Sequence, residues 1–268
     1  MPVVSVGTLA QMQVGLIGAG NMARAMARGW GDPVLVSDTG SGRAQALVDE
    51  LGGEAFTSNL EVAQRADVVV LCHKPYHLEP VAKEIAGVAK AVVSVLGGTS
   101  FAALQSAYPE TPVFAIMPNT PVEVGKGVLI YAEPPADSAP DVGLEVVVLD
   151  LFGRLGRVVA VPERLMNAAT AVTGVGPAYQ ALLAEAQVDA AVRHGLHASL
   201  AGELVAATMS GSAALIERRG YDTLAVRREV TSPGGSTARG LDALERAGIR
   251  AAFQDAIDAV VWPGGRPS

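Results

Sequence analysis

Short runs rich in β-branched residues crowd the first part of this chain and then stop. They are QVGLIG (13–18), PVLVSD (33–38), DVVVLC (67–72), AVVSVL (91–96), PVFAIM (112–117), GVLIY (127–131) and RVVAV (157–161). Helix-like segments alternate with the early ones at about 21–29, 41–51, 59–65 and 76–87, and another follows the loop AEPPADSAP and runs to about Gly153. Runs that are apolar throughout belong to strands buried on both faces, so the alternation predicts a parallel sheet covered by helices. After Pro162 the runs vanish. Ala-rich segments with helical spacing replace them at about 162–173, 177–195, 198–218, 221–230, 236–247 and 249–260.

The first run leads straight into Gly18-x-Gly20-x-x-Ala23. In a strand–turn–helix setting each of these positions has a job. Gly18 makes the tight turn, Gly20 lets the backbone approach a pyrophosphate, and the small Ala23 lets helix and strand pack closely. The free N–H groups at the helix start then hold the phosphates. The second run ends at Asp38, where an acidic residue accepts hydrogen bonds from the adenosine ribose and favours NAD(H). Ser37, Thr39, Ser41 and Arg43 surround it and offer a 2′-phosphate cradle instead. The expectation is an α/β chain with a Rossmann-like dinucleotide-binding domain over 1–161 and an all-helical domain over 162–268.

Bulk properties narrow the function. At 268 residues, 50% of them hydrophobic, the chain is long enough for a real core, and with 4% aromatics that core rests on Ala, Val and Leu. A net charge of −7 gives no basic footprint for nucleic acid. Cys72 is the only cysteine, which rules out an intrachain disulfide and suits an intracellular protein. The opening MPVVSVGTLAQMQ carries no signal-peptide pattern, and runs such as DVVVLC and GLEVVVLDLF are too short for a bilayer. A soluble, cytoplasmic protein with no membrane partner is expected. His73 and His77 share one helix face beside Cys72, but further ligands are wanting and no metal site is predicted.

The helical half is interrupted by TSPGGST (231–237). Pro233 stiffens this loop, Gly234 and Gly235 leave N–H groups uncovered, and a helix beginning near Ser236 offers its unpaired N–H groups to an anion. The plainer reading is a turn followed by an N-cap at Ser236 or Thr237. A nucleotide domain followed by helices suggests a dehydrogenase or reductase, but no lysine follows Lys126. Alcohol oxidation through a lysine in the helical domain is thereby disfavoured. A substrate that already carries its proton, such as an iminium ion, needs positioning more than acid–base chemistry.

The segments GLIGAGNMARAM, HKP, MPNTP, AVTGVGPAY, VRHGL and VTSPGGSTARGLDALERAG occur in the order found in pyrroline-5-carboxylate reductases, which this chain resembles over roughly 13–260. The resemblance implies reduction of 1-pyrroline-5-carboxylate, a cyclic imine carboxylate, to L-proline with NADPH or NADH, in a homodimer or larger homo-oligomer. It implies that Gly18, Ala19, Gly20, Asn21 and Met22 hold the pyrophosphate and that Ser37 and Asp38 lie at the ribose. Asn59, Lys74 and Pro75 would contact the cofactor, and Met117, Pro118 and Asn119 would lie towards the nicotinamide. Ser232 and the N–H groups of Gly235, Ser236 and Thr237 would grip the substrate carboxylate, with the Thr237 hydroxyl at the ring nitrogen. The sequence departs from the family pattern at Ala115 (commonly Arg), Asn167 (Asp), Val175 (Ser) and Ala191 (Gly). These departures bear on the exact ring, so a six-membered ring imine acid is the neighbouring alternative, and a non-catalytic nucleotide-sensing relative is the more distant one.

Overall fold

The computed structural model describes residues 12–262 and 264, and the chain divides after Gly174 into two compact units. The first unit is built on one sheet of β1 (Val14–Ile17), β2 (Val34–Ser37), β3 (Gly53–Phe56), β4 (Val68–Leu71), β5 (Val92–Ser94), β6 (Val113–Met117), β7 (Gly127–Glu133) and β8 (Gly156–Pro162). Their spatial order is β3-β2-β1-β4-β5-β6-β7-β8. From β3 to β6 every pairing is parallel. The chain passes from β3 on one side of β1 to β4 on the other, so the winding reverses at the β1–β4 boundary. β7 runs antiparallel to β6, and β8 pairs parallel with β7. The sheet is parallel-dominated, as expected from sequence, with the β6–β7 pairing as its one antiparallel step. Segment 118–126 is too short for the crossover of roughly a dozen residues that a parallel neighbour requires.

Helices sandwich this sheet: α1 (Asn21–Trp30), α2 (Arg43–Leu51), α3 (Asn59–Arg65), α4 (Leu78–Ile85), α5 (Phe101–Ala107), α6 (Val142–Gly153) and α7 (Met166–Thr173). Successive strand residues point to opposite faces, and both faces are covered. Leu16, Val36, Val70, Val93 and Phe114 pack with residues of α1, α2 and α6. Ile17, Leu35, Val69, Leu71, Val92 and Val113 pack with residues of α3, α4 and α5. Each such side chain, fully buried, contributes about 1.5–3 kcal/mol. This double burial is the physical origin of the unbroken apolar runs.

α1 shows how sequence sets an element. Ala23, Met26, Ala27 and Trp30 recur at helical spacing and are buried. Gly31, left-handed at φ 68°, ends the helix by donating to the Ala27 carbonyl. Trp30 Nε1–H donates to the Leu151 carbonyl at 2.9 Å, and its ring stands edge-on to Phe152 at 5.5 Å. These contacts fix α1 against α6.

Two elements have no counterpart in the sequence reading, β3 and α5. β3, GEAF, is an edge strand with no β-branched residue and two exposed positions. α5 is short, and its Ser100 cap accepts from the Ala103 N–H at 3.2 Å. The segment 162–174, which follows the change in composition, belongs to the first unit by its contacts. Ala171 is buried and Met166 packs against the core that contains Ala115 and Ala132.

The second unit is helical: α8 (Gly176–Arg193), α9 (Ala198–Arg218), α10 (Thr223–Glu229), α11 (Ser236–Arg246) and α12 (Ile249–Val261). Tyr179 meets Phe253 edge-on at 6.3 Å. Among its described residues only Ala201 is fully buried. Leu182 and Val192 on α8 and Leu200 and Leu204 on α9 are exposed. α9 is also long and apolar enough, by length and composition, to cross a membrane.

Candidate active site

In open α/β sheets ligands settle at the carboxyl ends of the strands where the winding reverses. Here that place is the β1–β4 boundary. Gly18 follows β1 with φ 102°, and its N–H donates to the Ser37 carbonyl at 2.8 Å. A Cβ on Gly18 would stand 2.9 Å from the Cys72 carbonyl and the His73 nitrogen at the end of β4. Gly18 is therefore fixed by the protein's own packing. Gly20 differs. Its φ is −75°, and a Cβ there would meet nothing within 4 Å. Nothing in the chain itself requires a glycine at 20, whereas a pyrophosphate lying against the backbone does. Gly20 caps α1 without a side-chain hydrogen bond, and no acidic residue stands in the first turn, so the N-terminal N–H groups face outward with positive polarity. Ala19 and Ala23 are buried beneath the turn, while Asn21 is exposed and Met22 half-buried. The turn fits a dinucleotide.

The remaining cofactor candidates lie along the same edge of the sheet. Ser37 ends β2 and is fully buried, and its hydroxyl donates to Asn59 Oδ1 at 2.7 Å. Asn59 starts α3, and its Nδ2 donates to Glu84 Oε2 at 2.8 Å. Both ends of the Asn59 amide are thus engaged within the protein. Lys74 and Pro75 follow β4, and Lys74 is exposed with no ion-pair partner among the described residues. Met117 ends β6 half-buried, with Pro118 and Asn119 buried behind it. Asn119 is a structural tie. Its Oδ1 accepts from the Val128 N–H at 2.8 Å and its Nδ2 donates to the Thr173 carbonyl at 3.0 Å, joining β6 to β7 and to the last turn of α7.

Asp38 is turned into its own loop. Oδ1 accepts from the Gly40 N–H at 2.8 Å, and Oδ2 accepts from the Ser41 hydroxyl at 2.6 Å and the N–H groups of Arg43 and Ala44 at 2.9 and 3.1 Å. A carboxylate offers roughly four lone-pair sites; here Oδ2 takes three of the hydrogen bonds and Oδ1 only one, so Oδ1 keeps an open position. Burial pushes its pKa up, but the Ser41 hydroxyl and the three N–H groups outweigh that and hold it below the ordinary value. The carboxylate organises the start of α2, and its remaining acceptor capacity lies on Oδ1. Arg43, exposed beside it, pairs with no acid among the described residues.

Of the side chains that drew no assignment from sequence, His73 stands out. Its Nδ1–H donates to the Lys74 carbonyl at 2.8 Å in the neutral tautomer, and its buried Nε2 has no partner. Burial pushes its pKa down, against the hydrogen bond to Lys74. No cluster of three or more His, Cys, Asp or Glu side chains suited to a metal occurs among the described residues. A cavity of about 320 Å³ opens beside Met117, and Ala115 and Asn167 both line it. Two of the departures from the family pattern therefore meet in one place.

The substrate-loop candidates lie in the second unit. Ser232–Gly235 forms a turn in which the Gly235 N–H donates to the Ser232 carbonyl at 3.1 Å. Pro233 followed by Gly234 at φ 67° is the residue order of a type II turn. Gly235 then caps α11, with no side-chain cap and no acid in the first turn. Because the Gly235 N–H is committed to the turn, the outward N–H groups are those of Ser236 and Thr237. The hydroxyls of Ser232, Ser236 and Thr237 have no partner among the described residues.

The sheet order and the glycine turn at its reversal define a dinucleotide-binding domain of the oxidoreductase class. Residues 13–98 match the family described as NADP oxidoreductase coenzyme F420-dependent, and residues 163–262 match pyrroline-5-carboxylate reductase dimerisation. A pyrroline-5-carboxylate reductase from Synechocystis is 35% identical, with 92% of this chain and 95% of that protein covered. A solved Plasmodium falciparum pyrroline carboxylate reductase with NADP bound is 27% identical with a TM-score of 0.83, covering 95% of this chain and 97% of that one. The enzyme from Streptococcus pyogenes superposes with a TM-score of 0.84 at 27% identity, covering 93% and 96%. The chain belongs to the pyrroline-5-carboxylate reductase family.

Proposed function

We propose that this protein reduces 1-pyrroline-5-carboxylate to L-proline with NADPH or NADH. One observation carries the reading. A single chain joins a glycine turn at the sheet's winding reversal to a Ser-Pro-Gly-Gly turn that opens α11 with its first N–H groups uncovered. Relatives named for this activity match both parts in one continuous alignment. The dinucleotide, when bound, supplies a hydride from C4 of its nicotinamide. Gly18 to Met22 hold its pyrophosphate on α1. Ser37, Asp38 and Asn59 shape the adenosine end, and Lys74, Pro75, Met117, Pro118 and Asn119 shape the rest of the cleft. Ser232, Gly235, Ser236 and Thr237 form the substrate loop, where the N–H groups of Ser236 and Thr237 take the carboxylate. The Thr237 hydroxyl hydrogen-bonds the ring nitrogen. The substrate reacts as its iminium ion, so hydride reaches the C=N carbon while the π electrons settle on nitrogen and neutralise it. No residue has to move a proton in that step, and rate comes from orientation and electrostatics.

The Asp38 arrangement favours NADPH. With four hydrogen bonds already accepted from its own loop, Asp38 has only Oδ1 capacity left for a ribose hydroxyl, and the exposed Arg43 is free to meet a 2′-phosphate. The protein acts in the cytoplasm as a homodimer or larger homo-oligomer. A helical unit with one fully buried side chain among its described residues and exposed leucines on α9 is completed by the same surface of a second copy. Chromatographic detection of L-proline from 1-pyrroline-5-carboxylate, with NADPH and NADH in parallel, tests the reading. Faster turnover of a six-membered ring imine acid would reassign the substrate to that larger ring. Tight cofactor binding without turnover of either ring would make the chain a nucleotide sensor.

A further inference from the structure

The turn that opens α11 is held from one further residue, Arg239, which no part of the sequence reading assigns. Arg239 Nη1 donates to the Gly234 carbonyl at 2.8 Å. The Gly234 carbonyl and the Gly235 N–H belong to one peptide group and point in opposite directions, as a planar trans peptide demands. That peptide is therefore gripped at both ends, its N–H by the Ser232 carbonyl at 3.1 Å and its C=O by Arg239. Gly234 and Gly235 are the residues most free to rotate in this loop, and a flip of their shared peptide would re-aim the start of α11. A Cβ on Gly235 would stand 2.5 Å from Ser232 Oγ and 3.1 Å from the Ser232 carbonyl, so a larger residue there would push the Ser232 hydroxyl aside.

Charge adds a second consequence. Arg239 is the only charged residue from Val230 to Arg239. The acids further along α11 are engaged elsewhere, Asp242 with Arg246 and Glu245 with Arg250 and Arg227. The rest of the Arg239 guanidinium has no acceptor among the described residues. It stands within one helical turn of the N–H groups of Ser236 and Thr237, a distance of roughly 5 Å along the axis.

We propose that Arg239 is a positioning residue for the substrate carboxylate: it locks the Gly234–Gly235 peptide and sets a positive charge one helical turn past the loop. This rests on the reading that the loop binds an imine carboxylate. Arg239 does not touch the reacting C=N bond, so its removal acts on substrate affinity rather than on the chemical step.

The test is steady-state kinetics on 1-pyrroline-5-carboxylate at saturating NADPH for the wild type, Arg239→Ala and Arg239→Lys, each across a salt series. Cofactor dissociation constants and elution volumes serve as fold controls. Arg239→Ala is expected to raise KM about tenfold, or about 1.4 kcal/mol, with kcat within about threefold. Wild-type KM rises with salt, and that dependence weakens in Arg239→Ala. Arg239→Lys keeps the charge and recovers the salt dependence with part of the affinity. An unchanged KM in Arg239→Ala, or a loss confined to kcat, overturns the proposal while wild-type turnover upholds the reductase. Absence of wild-type turnover sinks the reductase reading itself.

Discussion

Asp38 accepts hydrogen bonds from the N–H groups of Gly40, Arg43 and Ala44 and from the Ser41 hydroxyl, and Asp38→Ala removes all of them at once. Losing a side chain that caps a helix start costs about 1–2 kcal/mol. The upper part of that range is expected here, because three backbone donors and a hydroxyl lose their acceptor together, although the exposed ones recover water. In a domain of this size the loss corresponds to roughly 2–8 °C in Tm. The pH dependence follows from the sign of the shift. The folded carboxyl lies below its ordinary value, so its stabilisation is complete above the unfolded value of about 3.9 and is lost as pH falls through the folded one. The Tm gap between wild type and Asp38→Ala should hold steady near neutrality and close below about pH 4. Thermal melts across pH, together with NADPH and NADH dissociation constants, measure both halves of the prediction. Cofactor affinities are expected to move by less than about threefold. Unchanged Tm with NADH binding weakened tenfold or more would refute the reasoning and make Asp38 a ribose acceptor.

The two glycines of the turn should separate cleanly. Gly18→Ala meets the Cys72 carbonyl and a left-handed φ, so Tm falls, whereas Gly20→Ala enters open space, leaving Tm in place and weakening NADPH binding about tenfold or more in titration calorimetry. Thr237→Ala removes a hydrogen bond that matters as charge leaves the ring nitrogen, so kcat drops roughly a hundredfold while the NADPH dissociation constant holds; unchanged kinetics would remove Thr237 from the mechanism. Leu204→Glu on the exposed face of α9 should shift the species seen by light scattering to a monomer with lowered Tm, and an unaltered oligomer would show that this face lies outside the interface.

The first unit was readable because strands buried on both faces write continuous apolar runs, and α1 writes its spacing through Ala23, Met26, Ala27 and Trp30. β3 escaped because an edge strand of GEAF needs neither β-branching nor two apolar faces. The reversal at β7 is set by the length of one connection rather than by composition. At the site, residue types located the turn and the loop, but side-chain commitments were out of reach. Sequence cannot tell that Asp38 faces its own loop, that Asn119 ties β7 to α7, or that the Gly235 N–H closes a turn. Each depends on where a neighbouring backbone group points. Arg239 left one faint signal, a cation one helical turn past a Pro-Gly-Gly turn, and only its contact with the Gly234 carbonyl gives that charge a role.

The central claim is hydride delivery to a cyclic imine carboxylate, and an isotope test addresses it most directly. The enzyme is supplied with 1-pyrroline-5-carboxylate and NADPH carrying deuterium at both C4 positions of the nicotinamide, and the product is read by mass spectrometry and NMR. The account predicts L-proline with one deuterium per cofactor consumed, on the ring carbon beside nitrogen that does not bear the carboxylate. Unlabelled proline, or cofactor binding with no proline formed, would contradict it.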